Sequence, residues 1–250
     1  MFFSDPNTIF RGNSLASKLV DELMKVSGPH YLRSTLKPVI DAVLAEKKPC
    51  EVDTLRLEKP EEAASNLENL VVSAASYINF GMQLEEFSTN LSTFIILQGY
   101  VRQVFRAITN SALQCPALMC EAFHQLQQIA CSFFKNNNEV RYSVISGFIF
   151  LRFFAPAILG PRLFDLTSET IVRISVNSSR SEFNVVAFQD PQSHRTLTLI
   201  SKTVQSLGNL VSCRAGQAVG CKKEEYMEPV HRACYTDDHI KAVRQVKRII

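Results

Sequence analysis

The sequence predicts an all-α fold. Most of its 250 residues follow the helical period, in which apolar residues recur every three or four positions on one face. Prolines and glycines separate these stretches where helices begin or end, as at Gly28-Pro29 and at Pro116. A composition of 46% hydrophobic and 20% charged residues suffices for one large core or two small ones. We treat residues 1–250 as a single domain.

Helices in the first half of the chain begin at recognisable caps and breaks. Ser14 is a good N-cap for the first, and Gly28-Pro29 ends it. Residues 31–46 form a second helix, and Pro60 begins a third, which runs to about Leu70. The apolar face of the first helix is predicted to carry Leu15, Leu19, Leu23 and Met24.

Two further amphipathic helices follow in the middle of the chain. One is defined by the apolar positions Tyr100, Val101, Val104, Phe105 and Ile108. The other opens at Pro116, with Met119, Phe123, Leu126, Ile129 and Phe133 on its apolar side. Residues 71–96 show no clear pattern.

Residues 148–159 form a dense apolar run with one arginine, Arg152, in its middle. The run is too short and too charged to span a bilayer, and no segment reaches transmembrane length. Residues 140–154 are therefore predicted as a buried helix that Pro156 stops. Burying an arginine costs several kcal/mol unless its donors find acceptors. We expect Arg152 to bind backbone carbonyls of a neighbouring loop; a carboxylate such as Asp165 or Glu139 is the alternative.

The last third of the chain is predicted to be helical except for one hairpin. Leu197, Ile200, Val204, Leu207 and Val211 make a helical stripe, and a final helix starts at Thr236. Residues 171–188 are rich in β-branched residues around a polar turn, which predicts a hairpin. The basic residues between Lys241 and Arg248 are expected on a solvated helix face.

Charge and cysteine usage exclude several classes of function. A net charge of +3 without a basic, aromatic-rich stripe gives no support for nucleic-acid binding. Seven cysteines without a Cys-x-x-Cys pair, and no signal peptide, indicate reduced thiols in the cytoplasm. His231, Cys234 and His239 have loosely ligand-like spacing, but a helix surface explains them better than zinc, and no metal site is expected. No nucleophile motif occurs.

Three separated motifs resemble the catalytic domain of Ras GTPase-activating proteins (RasGAP), and their sequences are closest to those of the GAP1 branch. They are FRGNSLAS at residues 10–17, FLRFFAPAILGP at residues 150–161 and LISKTVQSL at residues 199–207. The resemblance implies a helical domain that stimulates GTP hydrolysis by a GTP-bound Ras-family GTPase and so negatively regulates Ras signalling. The resemblance implies an enzyme regulator, and the lack of a phosphate-binding Gly-x-x-x-x-Gly-Lys-Ser/Thr loop in the sequence agrees with this expectation. GTP and Mg²⁺ then belong to the partner, and no cofactor is expected here.

The resemblance also implies a role for individual residues. Arg11, on a loop before a helix, would be the arginine finger inserted in trans, a device that accelerates Ras hydrolysis by about 10⁵-fold. The triplet Phe150-Leu151-Arg152 would support the finger loop, with Arg152 binding its backbone carbonyls. Lys202, Asn209 and Glu224 would contact the GTPase along a groove.

Departures from the family pattern leave alternatives open. Residues 71–96 and 169–189 are predicted insertions, either real loops or translated non-coding sequence, and both ends are shorter than the family domain. The chain could instead be a GTPase binder inactivated by truncation or insertion, or an unrelated helical scaffold. No repeat of 30 to 50 residues supports a repeat scaffold. Membrane contact would be indirect, through flanking domains, with recruitment of a full-length form to the inner plasma-membrane face.

Overall fold

A computed structural model describes residues 10, 12–53, 56, 89–135, 137, 139–167, 172–174, 185–187, 190–208, 226–234 and 236–250. This part of the chain is helical except for one short hairpin, so the predicted class is confirmed. The helix predicted to begin at Pro60 lies outside it. The helices are α1 (Leu15–Ser27), α2 (Pro29–Glu46), α3 (Thr89–Asn110), α4 (Ala117–Phe133), α5 (Val140–Ile145), a π-helix (Ser146–Phe154), α6 (Ala155–Leu159), α7 (Pro191–Gly208), α8 (Glu228–Cys234) and α9 (Asp237–Ile249).

A central helix, Val140–Leu159, is formed by α5, the π-helix and α6 in succession. It packs against α1, α4, α7 and α9, and its aromatic side chains fill the core. The prediction that Pro156 stops this helix is wrong. The hydrogen-bond register changes from π to α at Ala155, so Pro156 lies in the first turn of a new segment, where its missing N–H costs nothing.

The length of the central helix corrects a second expectation. Its 20 residues are long and apolar enough to cross a membrane by length and composition, unlike the shorter run seen in the sequence. However, 78% of the most hydrophobic 18-residue window of this helix is buried inside the fold. A buried core helix passes the same hydropathy test as a membrane span, so burial accounts for this composition.

The apolar faces predicted for α1 and α4 are buried only in part. In α1, Met24 is buried as predicted, but Leu15 and Leu19 are 75% and 62% exposed, and Val20 lies in the core instead. In α4, Met119, Phe123 and Leu126 are buried as predicted, but Ile129 and Phe133 are exposed. Each helix carries two apolar stripes, and only one can face the core. Which one does so depends on the neighbouring elements and not on the helical period.

Helix α3 begins at Thr89, so part of the stretch 71–96, which showed no clear pattern, is helical. Thr93, Phe94 and Leu97 are buried in line with Val101 further along the same helix. Their spacing of three or four residues continues the stripe toward the N-terminus. The helix therefore extends about three turns N-terminal to the positions that predicted it.

The predicted hairpin is confirmed. Strand β1 (Val172–Ile174) pairs antiparallel with β2 (Val185–Ala187), with Arg173 opposite Val186. It lies within residues 169–189, one of the two predicted insertions. Whether those segments are insertions relative to the family stays a prediction.

Candidate functional site

The loop before α1 is held by the guanidinium of Arg152. Its Nη2 donates to the backbone carbonyls of Phe10 (3.3 Å) and Gly12 (3.2 Å). Its Nη1 donates to Oδ2 of Asp21 at 2.7 Å in a partly buried ion pair. The contact expected between Arg152 and loop carbonyls is therefore present, and a carboxylate shares it. We call these residues the Arg152 clamp.

The π-helix aims Arg152 at this loop. Phe148, one turn earlier on the central helix, places its ring 5.7 Å from the guanidinium carbon. An aromatic face next to a cation is attractive and also limits the rotamers that the arginine can adopt. The side chain keeps only 19% of its surface exposed, so its ion pair is less screened by solvent than a surface pair would be.

The same loop is held from its other side by Phe10 and by the first turn of α1. The ring of Phe10 is buried 6.3 Å from that of Phe148, and its backbone has a left-handed φ of 58°. A bulky residue in that region stores about 1–3 kcal/mol of strain, and such strain is often found at functional sites. Ser17 Oγ donates to the Gly12 carbonyl at 2.7 Å, and Ser14 caps α1 through the Ser17 N–H.

The clamp fixes the carbonyls on both sides of position 11. Arg11, the predicted finger, lies outside the described residues. What the structure does place is its frame: the carbonyls of its two neighbours, Phe10 and Gly12, are bound to Arg152, and that of Gly12 is bound to Ser17 as well. The backbone is therefore held at the two residues next to position 11, Phe10 and Gly12.

Asp21 is the residue of this site that the sequence reasoning missed. The carboxylates weighed as partners of Arg152 were Asp165 and Glu139, and neither is found there. Glu139 is instead 3.7 Å from Arg244. A signal was available, since Asp21 follows Ser17 by four residues and therefore lies on the same face of α1.

A second cluster lies on another side of the π-helix, at the end of α7. The Gly208 carbonyl accepts hydrogen bonds from Lys247 Nζ (2.9 Å) and from Ser146 Oγ. A Cβ on Gly208 would lie 2.4 Å from the Cβ of Phe150, so only glycine fits. We call this set the Gly208 contact. It holds the residue just before Asn209, which lies outside the described residues.

Lys247 corrects the prediction of a solvated basic face. Its side chain is 1% exposed, and Nζ lies 5.9 Å from the Phe150 ring centre. Lys241, Arg248 and their neighbours at positions 244 and 245 keep exposed or partly exposed surfaces, as predicted. An ammonium group can be buried here because a helix-end carbonyl is a strong acceptor for a cation.

Lys202, which was predicted to contact the GTPase, lies on α7 next to Tyr226. Its Nζ is 3.3 Å from the Tyr226 hydroxyl and 5.9 Å from the centre of that ring. Two turns earlier, Arg195 lies 5.5 Å from the same ring and binds Glu51 through two hydrogen bonds of 2.9 and 2.8 Å. Lys202 also lines a cavity of about 280 Å³ together with Ser201. Glu224 lies outside the described residues.

Electrostatics favours the charged form of Glu51. Burial raises the pKa of this carboxyl, but hydrogen bonds from Arg195 and from the N–H groups of Asp53 and Val52 lower it by more. The net pKa is below the ordinary value. The same pairing raises the pKa of the Arg195 guanidinium. The pair fixes Arg195, and through it one side of Tyr226.

The three loosely ligand-like residues do not form a metal site. Among the residues that the structure describes, no group of three or more His, Cys, Asp or Glu side chains could hold a metal ion. Cys234 is buried, which raises the pKa of its thiol to about 12. His239 packs on Phe105 at 5.0 Å, and its burial lowers its pKa. Cys234 therefore lies in the core and not on a helix surface as predicted, and His239 packs on Phe105.

Comparison with known proteins gives the family. Residues 3–209 match the family described as GTPase-activator protein for Ras-like GTPase, RasGAP. The chain belongs to the RasGAP family. The match includes all three motifs and ends at Asn209, so the segment that carries Glu224 lies beyond it.

Individual relatives agree with this assignment. The chain is 46% identical over 247 residues to a Drosophila melanogaster "GTPase-activating protein", which covers 99% of this chain and 17% of the relative. It is 38% identical over 246 residues to the mouse "Ras GTPase-activating protein 3", covering 98% and 24%. It is 35% identical over 241 residues to the human "Ras GTPase-activating protein 2", and the match covers 96% of this chain and 23% of the relative.

The resemblance drawn from the motifs, including the GAP1 branch, is confirmed. The chain spans about a fifth of the length of these relatives. The residue roles drawn from the RasGAP resemblance stay predictions.

Proposed function

We propose that this RasGAP chain activates GTP hydrolysis by a Ras-type GTPase in its GTP-bound form, supplying Arg11 in trans. The observation that carries the proposal is the Arg152 clamp, which pins the carbonyls of Phe10 and Gly12 on either side of the finger position. A charge offered to a developing transition state is effective when its position is set in advance. A flexible loop would have to be ordered during each encounter.

The chemistry follows from the charge of the transition state. As the γ-phosphoryl group transfers to water, negative charge spreads over its oxygens and the leaving oxygen. A guanidinium with five donors in a fixed fork can neutralise it and form hydrogen bonds at the same time. In this proposal the Arg11 backbone carbonyl also helps to hold the water-orienting glutamine of the GTPase. Nucleotide and Mg²⁺ are bound by the GTPase, so the chain acts as a regulator without a cofactor of its own.

In this proposal the surface around Lys202 supplies the binding contacts. Lys202 is held against Tyr226. Arg195, which is also on α7, lies against the same ring and is itself held by Glu51. A lysine kept near one geometry loses less side-chain entropy when it meets an acidic partner. We place Asn209 and Glu224 on the same surface. The proposal also places the domain in the cytoplasm, where buried thiols such as Cys50 stay reduced.

Single-turnover GTP hydrolysis by a Ras-family GTPase tests the proposal. The wild-type chain should accelerate hydrolysis by orders of magnitude, and Arg11→Ala should lose most of that acceleration. Binding to the GTPase loaded with a non-hydrolysable GTP analogue should change little in Arg11→Ala. Arg106→Ala, an exposed arginine on α3, is the matched control and should behave as wild type.

Two outcomes would contradict the proposal. Binding without acceleration by the folded wild-type chain would identify a non-catalytic GTPase binder. Equal loss of binding and of rate in Arg11→Ala would show that Arg11 serves affinity and not the chemical step.

A further inference from the structure

The Gly12 carbonyl accepts a second hydrogen bond besides that of Arg152. Ser17, in the first turn of α1, donates to this oxygen from Oγ at 2.7 Å, whereas Arg152 Nη2 lies 3.2 Å from it. Hydroxyl donors most often form bonds of about 2.7–2.8 Å, so the contact made by Ser17 has a favourable length. Ser17 is 0% exposed, and bulk water therefore does not compete for this bond.

The hydroxyl of Ser17 carries one proton, and its surroundings direct that proton to Gly12. The Ser14 carbonyl is another acceptor within reach, at 2.9 Å, but it already accepts from the N–H of Lys18 at 3.0 Å. The Ser14 hydroxyl lies 3.2 Å from Ser17 Oγ and donates to it. Ser17 Oγ then acts as an acceptor toward Ser14, and its own proton is left for the nearer carbonyl, that of Gly12.

We propose that Ser17 is a positioning residue for the finger loop, residues 10–13. It fixes the Gly12 carbonyl relative to α1 and so sets the direction in which Arg11 meets the GTPase. Arg152 approaches the same carbonyl from another helix through a long side chain that keeps 19% of its surface exposed. A serine hydroxyl is separated from its helix by one side-chain torsion, so it transmits the position of α1 to the loop with less freedom. The role in catalysis rests on the proposed function, whereas the restraint on the loop does not.

The bond differs from the one that a serine inside a helix usually makes. Such a hydroxyl donates to a carbonyl one turn earlier in the same helix, as Ser27 Oγ does to the Leu23 carbonyl at 2.7 Å. Ser17 instead reaches past the N-cap Ser14 to a residue outside the helix. Ser27 lies about 15 Å further along α1 and makes a bond of the same length. Ser27→Ala is therefore the matched control for Ser17→Ala.

Hydrogen exchange measures the restraint on the loop without any GTPase. Amide exchange in the peptide that covers residues 10–17, followed by mass spectrometry, should become roughly fivefold faster in Ser17→Ala because one hydrogen bond of the loop is lost. Exchange of this peptide should stay at the wild-type rate in Ser27→Ala. Unchanged exchange in Ser17→Ala, or an equal increase in both variants, would overturn the restraint.

Single-turnover GTP hydrolysis by a Ras-family GTPase tests the effect on the reaction. At saturating concentration of the chain, Ser17→Ala should slow hydrolysis roughly tenfold, and Ser27→Ala should match the wild type. A smaller folded fraction would only raise the concentration needed for half of the maximal rate. A fall in the saturating rate therefore reports the position of Arg11 and not the stability of the domain. A shift in half-saturation without a fall in the saturating rate would overturn the positioning role.

The wild-type chain separates the failure of this inference from the failure of the proposed function. Acceleration by the wild type together with an equal saturating rate in Ser17→Ala would overturn the role of Ser17 alone. Absence of acceleration by the folded wild-type chain would overturn the proposed function, and the role of Ser17 in the reaction with it. The exchange experiment would still decide whether Ser17 holds the loop.

Discussion

The two faces of the central helix hold neighbouring elements by different means. On one face, Arg152 uses charge and hydrogen bonds to hold the loop before α1, and its ion pair with Asp21 is partly exposed. On the other, Phe150 packs against Gly208 so closely that no side chain fits, and the buried Lys247 binds the same residue. The first contact can shift without damage to the core, whereas the second is part of the core. We therefore expect changes at the Arg152 clamp to affect rate and changes at the Gly208 contact to affect stability.

The largest effect is expected at the Gly208 contact. Gly208→Ala places a Cβ 2.4 Å from the Cβ of Phe150, atoms next to two backbones that cannot move apart easily. The free energy of unfolding should fall by about 3 kcal/mol, measured by urea denaturation. Gly99→Ala is the control, because its Cβ would meet nothing within 4 Å and helix propensity favours alanine. A loss in Gly208→Ala no larger than in Gly99→Ala would contradict the close-packing argument.

A change at the Arg152 clamp should lower the rate of GTPase activation strongly and the free energy of unfolding only slightly. Arg152→Lys keeps the positive charge but cannot bind two carbonyls and a carboxylate at once. Misplacement of the finger loop should slow GTPase activation roughly 100-fold, while the free energy of unfolding falls by only about 1 kcal/mol. Single-turnover hydrolysis and urea denaturation measure the two quantities. Arg244→Lys, at an ion pair away from the loop, should leave the rate unchanged.

Asp21 should have a smaller effect of the same kind. Asp21→Asn keeps the shape of the side chain but replaces the charged acceptor of the Arg152 hydrogen bond by a neutral amide oxygen. That difference, about 1 kcal/mol, predicts a roughly fivefold slower activation. The exposed neighbour Glu22 provides the control Glu22→Gln, for which we expect the wild-type rate. If both variants matched the wild type, Asp21 would contribute nothing to loop position.

The smallest effect concerns the pH dependence of the ion pair between Glu51 and Arg195. The pKa of Glu51 is lowered in the folded chain, so the stability from its pairing with Arg195 is complete above the ordinary value of about 4.3. It is lost as pH falls through the lowered pKa. The difference in unfolding free energy between wild type and Glu51→Gln should therefore shrink as pH falls below about 4. A difference that stayed constant over that range would argue against the pairing.

Comparison of prediction and structure shows where local sequence is informative. Ser14 as N-cap, the break at Gly28-Pro29 and the hairpin near residues 172–187 were all predicted, because each depends on a few neighbouring residues. The burial of Leu19 was predicted wrongly, since α1 has two apolar stripes and the sequence does not say which one meets the core. The helix stop at Pro156 failed because a π-helix precedes it.

The sequence by itself determined the helical class, the three RasGAP motifs and the need of Arg152 for acceptors. A guanidinium within an apolar run must be paired wherever it lies, because its desolvation cost is a property of the group itself. Only the tertiary structure decided that the acceptors are Asp21, Phe10 and Gly12, and that Lys247 is buried. Hydrogen bonds reach about 3 Å, so partners more than a hundred residues apart are chosen by how the helices pack.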